Sequence, residues 1–176
     1  MLFIIIVLAA LALDQGVKAA CAAWLPTLPN RTYPLWNGVF TLTYVENRGA
    51  AFGMLQNAQV FFIIATVIVC GCLIWFVIKE YRKMHTMMKI SLALILSGAL
   101  GNFVDRVFLG YVRDMFYFVP INFPVFNVAD SVICVGAACL ILDLLFFQGK
   151  RYMAELDKKA QPPKNEDNRQ EDEEDR

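Results

Sequence analysis

Met88 to Val107 reads MKISLALILSGALGNFVDRV, and this stretch decides the fold. After Lys89 it runs without an ionisable residue until Asp105 and Arg106. A bilayer-spanning helix needs about 20 mostly apolar residues at a rise of about 1.5 Å each. Three further stretches meet the same requirement: Met1 to Trp24, Ala58 to Ile78, and Phe126 to Phe147. The chain of 176 residues is 58% hydrophobic, above the roughly 45–50% apolar content of soluble domains. The expectation is an all-α membrane protein with four transmembrane helices, at about 1–24, 58–78, 88–107 and 126–147.

Outward from these spans, charge divides the chain in two. Residues 1–149 hold only seven acids, and the last 27 residues hold nine acids and seven of the sixteen basic residues. A segment with so little apolar surface cannot offset the entropy of ordering, so 150–176 reads as a disordered tail beside a body of 1–149. Nothing in this balance points to nucleic acid. The five cysteines lie in or beside apolar runs and read as small helix filler; Cys70-Gly-Cys72 has no accompanying histidine or second pair to make a metal site. The first span is expected to stay in the mature protein and not to be a cleavable leader, because Asp14 and Lys18 interrupt it. Lys18 also stands where a lipobox before Cys21 would need an apolar residue.

Basic residues orient the spans. Lys79, Arg82, Lys83 and Lys89 lie between the second and third, and Lys150, Arg151, Lys158 and Lys159 follow the fourth. The positive-inside rule places that loop, the tail and both termini in the cytoplasm. Residues 25–57 and 108–125 then face outward. Leu35 to Asn47 is rich in aromatic and β-branched residues and carries the turn signal Asn37-Gly38, so it reads as one or two short strands. Trp24, Tyr33, Trp36 and Tyr44 suit a membrane interface.

Ionisable residues at membrane depth are costly and mark candidate sites. Counting along each helix, Asp14 lies about 20 Å from the inner end, Lys18 about 26 Å and Asp105 about 22 Å, while Asp130 lies about 6 Å below the outer edge. Four charges from three helices therefore gather at one level. Asn102-Phe-Val-Asp105 and Asn127-Val-Ala-Asp130 share the pattern Asn-x-x-Asp, and residues at i and i+3 share a helix face. Either these groups glue helices together, or they form a site in which two carboxylates act on one water.

Five blocks, in this order, resemble those of the signal peptidase II (lipoprotein signal peptidase) family. They are Asp14-Gln-Gly-Val-Lys18, Asn47-Arg-Gly-Ala-Ala-Phe52, Gly101-Asn-Phe-Val-Asp-Arg106, Val112-Arg-Asp114 and Phe126-Asn-Val-Ala-Asp130. Met115 stands where an aromatic residue commonly follows in that family, and the acidic tail lies outside the family core. The resemblance implies four helices with a small extracytoplasmic β-cradle in the inner membrane of a bacterium. It implies an aspartic endopeptidase that removes the signal peptide from diacylglyceryl-modified prolipoproteins, cutting just before the lipidated cysteine. On the matching residues it assigns Asp105 and Asp130 as the catalytic dyad. Asn47, Asn102, Arg113 and Asn127 would bind substrate, Asp14 and Lys18 would form a structural charge pair, and Asp114 would support the outer loop. No cofactor or metal is implied, and the partners are the lipidated substrate and membrane lipid, with the chain acting as a monomer.

The chemistry fits such a layout. Two carboxylates held close share one proton; the ionised one takes a proton from water while the other donates to the carbonyl oxygen. Ser97 and Ser131 have no evident base, and the single histidine, His85, lies in the basic loop. A proton-coupled carrier using the same charges is one rival, disfavoured by the lack of an internal repeat and by aspartates away from midplane. A non-enzymatic scaffold subunit is the other, and it leaves the Asn-x-x-Asp pairs idle.

Overall fold

The computed structural model describes residues 1–49, 55–56 and 58–148. The tail, expected to be disordered, and residues 50–54 of the loop after Asn47 lie outside the described residues. By its contacts the chain divides into a unit of Met1–Ile141 and a second unit beginning at Leu142.

Among the described residues, four helices are long and apolar enough to cross a membrane. They are α1 (Leu2–Trp24), α2 (Gln59–Glu80), α3 (Thr86–Leu109) and α4 (Val128–Asp143), the last followed by a π-helical turn, Leu144–Gln148. Bounds differ from the sequence expectation by a few residues, as fraying ends do. Outward faces are apolar: Val60, Phe61, Ile64, Val67 and Ile68 of α2 are all exposed. Such a surface is at home in hydrocarbon and would aggregate in water. Asp143, the last residue of α4, is buried, and neither of its carboxylate oxygens has a hydrogen-bond partner among the described residues.

Helix α3 is the central one. It buries Met88, Leu92, Ala93 and Leu96 toward its start and Gly101, Asn102 and Asp105 toward its end. Val7 of α1 and Cys70 of α2 pack with Ala93 and Leu96 in one apolar cluster. Glycines let α4 approach closely, since lipid tails offer no hydrophobic drive between helices and close backbone packing supplies the attraction instead. A Cβ at Gly98 would collide with the Ala129 carbonyl oxygen and lie 2.6 Å from Ile133 Cγ1, and one at Gly136 would lie 2.8 Å from the Ser91 carbonyl oxygen. This contact holds the start of α4 against the last turns of α3, where the polar residues are.

Three strands form an antiparallel sheet in the order β1 (Thr32–Trp36), β2 (Phe40–Asn47), β3 (Val112–Phe118). The first two form a hairpin with its turn at Asn37-Gly38, where a turn was expected, though β1 begins three residues before the Leu35–Asn47 stretch read as one or two strands; Gly38 takes φ +73°, and the Val39 N–H closes the turn on the Trp36 carbonyl at 3.0 Å. The third corrects the expectation of a plain outer loop over 108–125. Gly110 (φ +76°) ends α3 in a left-handed turn, with its N–H on the Arg106 carbonyl at 3.2 Å. The chain then runs back along β2, pairing Val112 with Asn47, Arg113 with Glu46 and Asp114 with Val45. That register brings β3 beside the polar ends of α3 and α4. Of the four aromatics expected at a membrane interface, Trp24, Tyr33 and Trp36 are exposed and Tyr44 is half-buried; the Trp24 and Tyr33 ring centroids are 5.0 Å apart.

Candidate active site

Two polar clusters meet where α1, α3, α4 and β3 converge. The first is a cation–carboxylate knot. Lys18 and Asp14, one turn apart on α1, are buried and 2.9 Å apart, the pair expected from their spacing. Asp14 Oδ1 accepts the Ala129 N–H at 2.8 Å, pinning the first turn of α4, and the bare Gly101 admits the other carboxylate oxygen: a Cβ there would lie 2.5 Å from it. Asp105, fully buried, is gripped from several sides. Arg113 donates through Nη2 to Oδ1 (2.7 Å), through Nε to Oδ2 (3.1 Å) and through its backbone N–H to Oδ2 (2.9 Å). Lys18 Nζ lies 3.6 Å from Oδ2, and Gln15 Nε2 donates to Oδ1 at 3.3 Å. The bond to Asp105 holds the Arg113 guanidinium above its ordinary pKa.

The second cluster is built on amides. Asn102 Nδ2 donates to Asp130 Oδ1 (2.8 Å), and the Asn127 backbone N–H donates to Asp130 Oδ2 (3.2 Å). Asn127 Nδ2 donates to Asp114 Oδ1 (2.6 Å) and to Asn102 Oδ1 (3.1 Å). Asn47 Nδ2 donates to Asp114 Oδ2 (2.9 Å), a bond made possible by the β2–β3 register. Asp114 and Asp130 are thus joined through two asparagines. Burial, and then the charge of Asp130, push the Asp114 carboxyl up to about 7, against the lowering effect of the Asn47 and Asn127 amides and Lys18.

Asp114 and Asp130 line one cavity of about 550 Å³ together with Asn47, Gly49, Asn102 and Arg106. Phe123, Pro124, Val125, Phe126 and Val135 make the rest of the wall largely apolar. Arg106 reaches toward the Gly49 carbonyl (3.4 Å), and its guanidinium carbon lies 4.9 Å from the centre of the Phe62 ring. Its Nε is buried without a hydrogen-bond partner among the described residues. No three His, Cys, Asp or Glu side chains among the described residues group as metal ligands.

The expected site residues fall in different places in the fold. Asn47 and Asn102 do line the cavity; Asp130 does also. Asp105 does not, and both of its oxygens are occupied by cations and amides, so the carboxylate that shares the cavity with Asp130 is Asp114. Arg113, expected to bind substrate, is committed to Asp105 and to Gln15 Oε1 (2.9 Å). Asn127 is a bridge inside the network and not part of the wall. Sequence reasoning passed over Arg106 as a wall residue and Gln15 as a knot residue. The signal for Asp114 was the block Val112-Arg-Asp114, which carries a carboxylate outside the spans and so drew no weight from membrane depth.

A profile described as signal peptidase (SPase) II matches residues 6–146. A lipoprotein signal peptidase of Caldanaerobacter subterraneus is 49% identical over 150 residues, covering 84% of this chain and 99% of that one. One from Streptococcus thermophilus is 48% identical over 138 residues, covering 78% and 88%. Among solved structures, a chain described as a bacterial membrane enzyme, determined by the in meso method at 2.3 Å resolution, superposes with a TM-score of 0.73 at 33% identity, covering 81% of this chain and 87% of that one. With its four apolar helices, its three-stranded sheet and a match along nearly the whole body, the chain belongs to the signal peptidase II family, the proteases that remove signal peptides from prolipoproteins.

Proposed function

We propose that this protein is an aspartyl endopeptidase of the bacterial inner membrane, and that Asp114 and Asp130 form its catalytic pair. The observation that carries this reading is their joint presence on one cavity wall, tied through Asn102 and Asn127, while Asp105 is held by Arg113 and Lys18 away from that wall. The two carboxyls share one proton, and burial, which pushes the Asp114 carboxyl up to about 7, suits Asp114 as its holder when water attacks. Asp130 takes a proton from water as the water oxygen attacks the scissile carbonyl carbon, and Asp114 donates to the carbonyl oxygen. Collapse of the tetrahedral intermediate breaks the C–N bond: the proton gained by Asp130 passes to the leaving amine, and a hydroxyl proton of the diol returns to Asp114 as the carboxyl product forms. Arg106 and Asn47, both on the cavity wall, supply N–H donors to orient peptide carbonyls.

The substrate is a prolipoprotein with a diacylglyceryl-modified lipobox cysteine, cut just before that cysteine. The apolar wall from Phe123 to Phe126 suits acyl chains and the apolar residues of a signal peptide. Basic residues on the 79–89 loop support cytoplasmic termini and an active site near the outer face. The proposed working unit is the monomer. Purified protein in detergent is expected to cleave a diacylglyceryl-modified lipobox peptide before its cysteine and to leave the unlipidated peptide uncut. Failure to cleave the lipidated peptide contradicts the reading.

A further inference from the structure

We infer that Lys18 is a positioning residue for the reaction: it fixes the Asn102 amide so that its N–H donor faces Asp130. This rests on the pairing of Asp114 with Asp130 proposed above. Lys18 is fully buried, yet its ammonium is engaged beyond a simple ion pair, with Asp14 Oδ2 at 2.9 Å, Asn102 Oδ1 at 2.9 Å and Asp105 Oδ2 at 3.6 Å. An ammonium donates and never accepts. The Asn102 atom facing it must therefore be the carbonyl oxygen, and that oxygen also receives Asn127 Nδ2 at 3.1 Å. Rotating the amide by half a turn would set its NH2 against the ammonium and the Asn127 NH2, and its carbonyl against the Asp130 carboxylate. One orientation survives, and in it Nδ2 lies 2.8 Å from Asp130 Oδ1.

Asn127 is locked by a different donor. Its Oδ1 accepts the Asp130 backbone N–H at 2.9 Å, which leaves Nδ2 to serve Asp114 and Asn102. The two amides thus have separate anchors, the α4 backbone for one and Lys18 for the other. Without Lys18, Asn102 loses its one charged anchor and keeps only the Asn127 and Asp130 contacts, so its amide is free to swing out of line with Asp130. A charge acting over distance would not depend on Asn102 at all, and this separates the two explanations. The charged groups around Asp130 are Asp14 and Lys18 from α1, Arg106 from α3 and Asp114 from β3.

The test is a double-mutant cycle in an Asp14→Asn background, where removing Lys18 strands no charge in its nearest partner. Turnover of a diacylglyceryl-modified lipobox peptide is followed across pH. Lys18→Met and Asn102→Leu are each expected to lower kcat by about 30-fold with KM changed less than about threefold, and to move the acid limb of kcat up by about one pH unit, because ionised Asp130 loses a donor. The Lys18→Met/Asn102→Leu combination is expected to be no worse than either change alone. Lys18→Arg, another obligate donor, is expected to restore the limb. Additive losses, or a Lys18→Met protein with an unmoved acid limb, overturn the inference. If the Lys18 variants do not accumulate, Asn102→Leu in the native chain decides, since Lys18 keeps Asp14 and Asp105 there: an unmoved limb overturns the inference and an upward shift supports it. Failure of the catalytic pairing itself is read separately, as wild-type turnover by Asp114→Asn or Asp130→Asn.

Discussion

Asp105→Asn separates stability from chemistry. Asp105 is fully buried and makes a two-pronged contact with Arg113, whose side chain is only 14% exposed, at 2.7 and 3.1 Å. The amide keeps the shape but presents an NH2 to a donor on one prong and removes the charge that balances Lys18 and Arg113. Breaking one partner of a buried ion pair costs about 3–5 kcal/mol. Isosteric replacement retains one acceptor, so about 3 kcal/mol is expected. At roughly 2–4 °C per kcal/mol for a chain of this size, the detergent melting temperature should fall by about 6–12 °C. The surviving folded enzyme should keep kcat within about tenfold, because Asp105 touches neither the cavity nor the water proposed to react. Melting is followed by tryptophan fluorescence, and kcat is normalised to folded protein well below the melting point. A variant that melts with wild type and has lost turnover refutes the reasoning and returns Asp105 to the chemistry.

Other consequences follow from the same geometry. The Asp114 carboxyl, at about 7 in the fold against 3.8 in the unfolded chain, makes the native state bind more protons than the unfolded one between those values. Its contribution to stability is therefore fully present below about 4 and is lost as pH rises toward 7. Asp114→Asn should accordingly melt progressively higher than wild type as pH rises from about 5 to 8, by on the order of 4 kcal/mol at most; a gap that narrows with pH contradicts this. Gly98→Ala should cost about 1–3 kcal/mol by overpacking α3 against α4 and should also slow turnover by shifting Asp130, while Gly71→Ala, with nothing within 4 Å of the added Cβ, should melt near wild type; equal melting of the two removes the packing argument. In a variant stripped of native cysteines, Asn37→Cys should react with an impermeant thiol reagent in intact cells and Lys83→Cys should not; the reverse pattern inverts the topology.

The helices were legible because a bilayer sets their length and composition, and the convergence of Asp14, Lys18 and Asp105 followed from counting rise per residue. The hairpin was legible at Asn37-Gly38. Strand β3 was not, since adjacent Arg113 and Asp114 interrupt the alternation that Val112, Phe116 and Phe118 would otherwise show. The site misled at one point. Spacing at i and i+3 paired Asn102 with Asp105, but in the fold Asn102 turns across the helix interface to Asp130, and Asp105 is claimed by Arg113 eight residues on. Local spacing reports which residues share a face; which of them meet a neighbouring helix depends on α4 closing onto Gly98 and on the β2–β3 register, and neither has a local signal.

Asp114, and not Asp105, is proposed to work with Asp130. The most direct test of this pairing is kcat for Asp114→Asn, Asp130→Asn and the double variant on a diacylglyceryl-modified lipobox peptide, with binding of that peptide measured in parallel. Each single change is predicted to leave binding intact and to cut turnover by at least about a thousandfold, roughly 4 kcal/mol of transition-state stabilisation, and the double to be barely worse than either. Turnover by Asp114→Asn within tenfold of wild type would contradict the account.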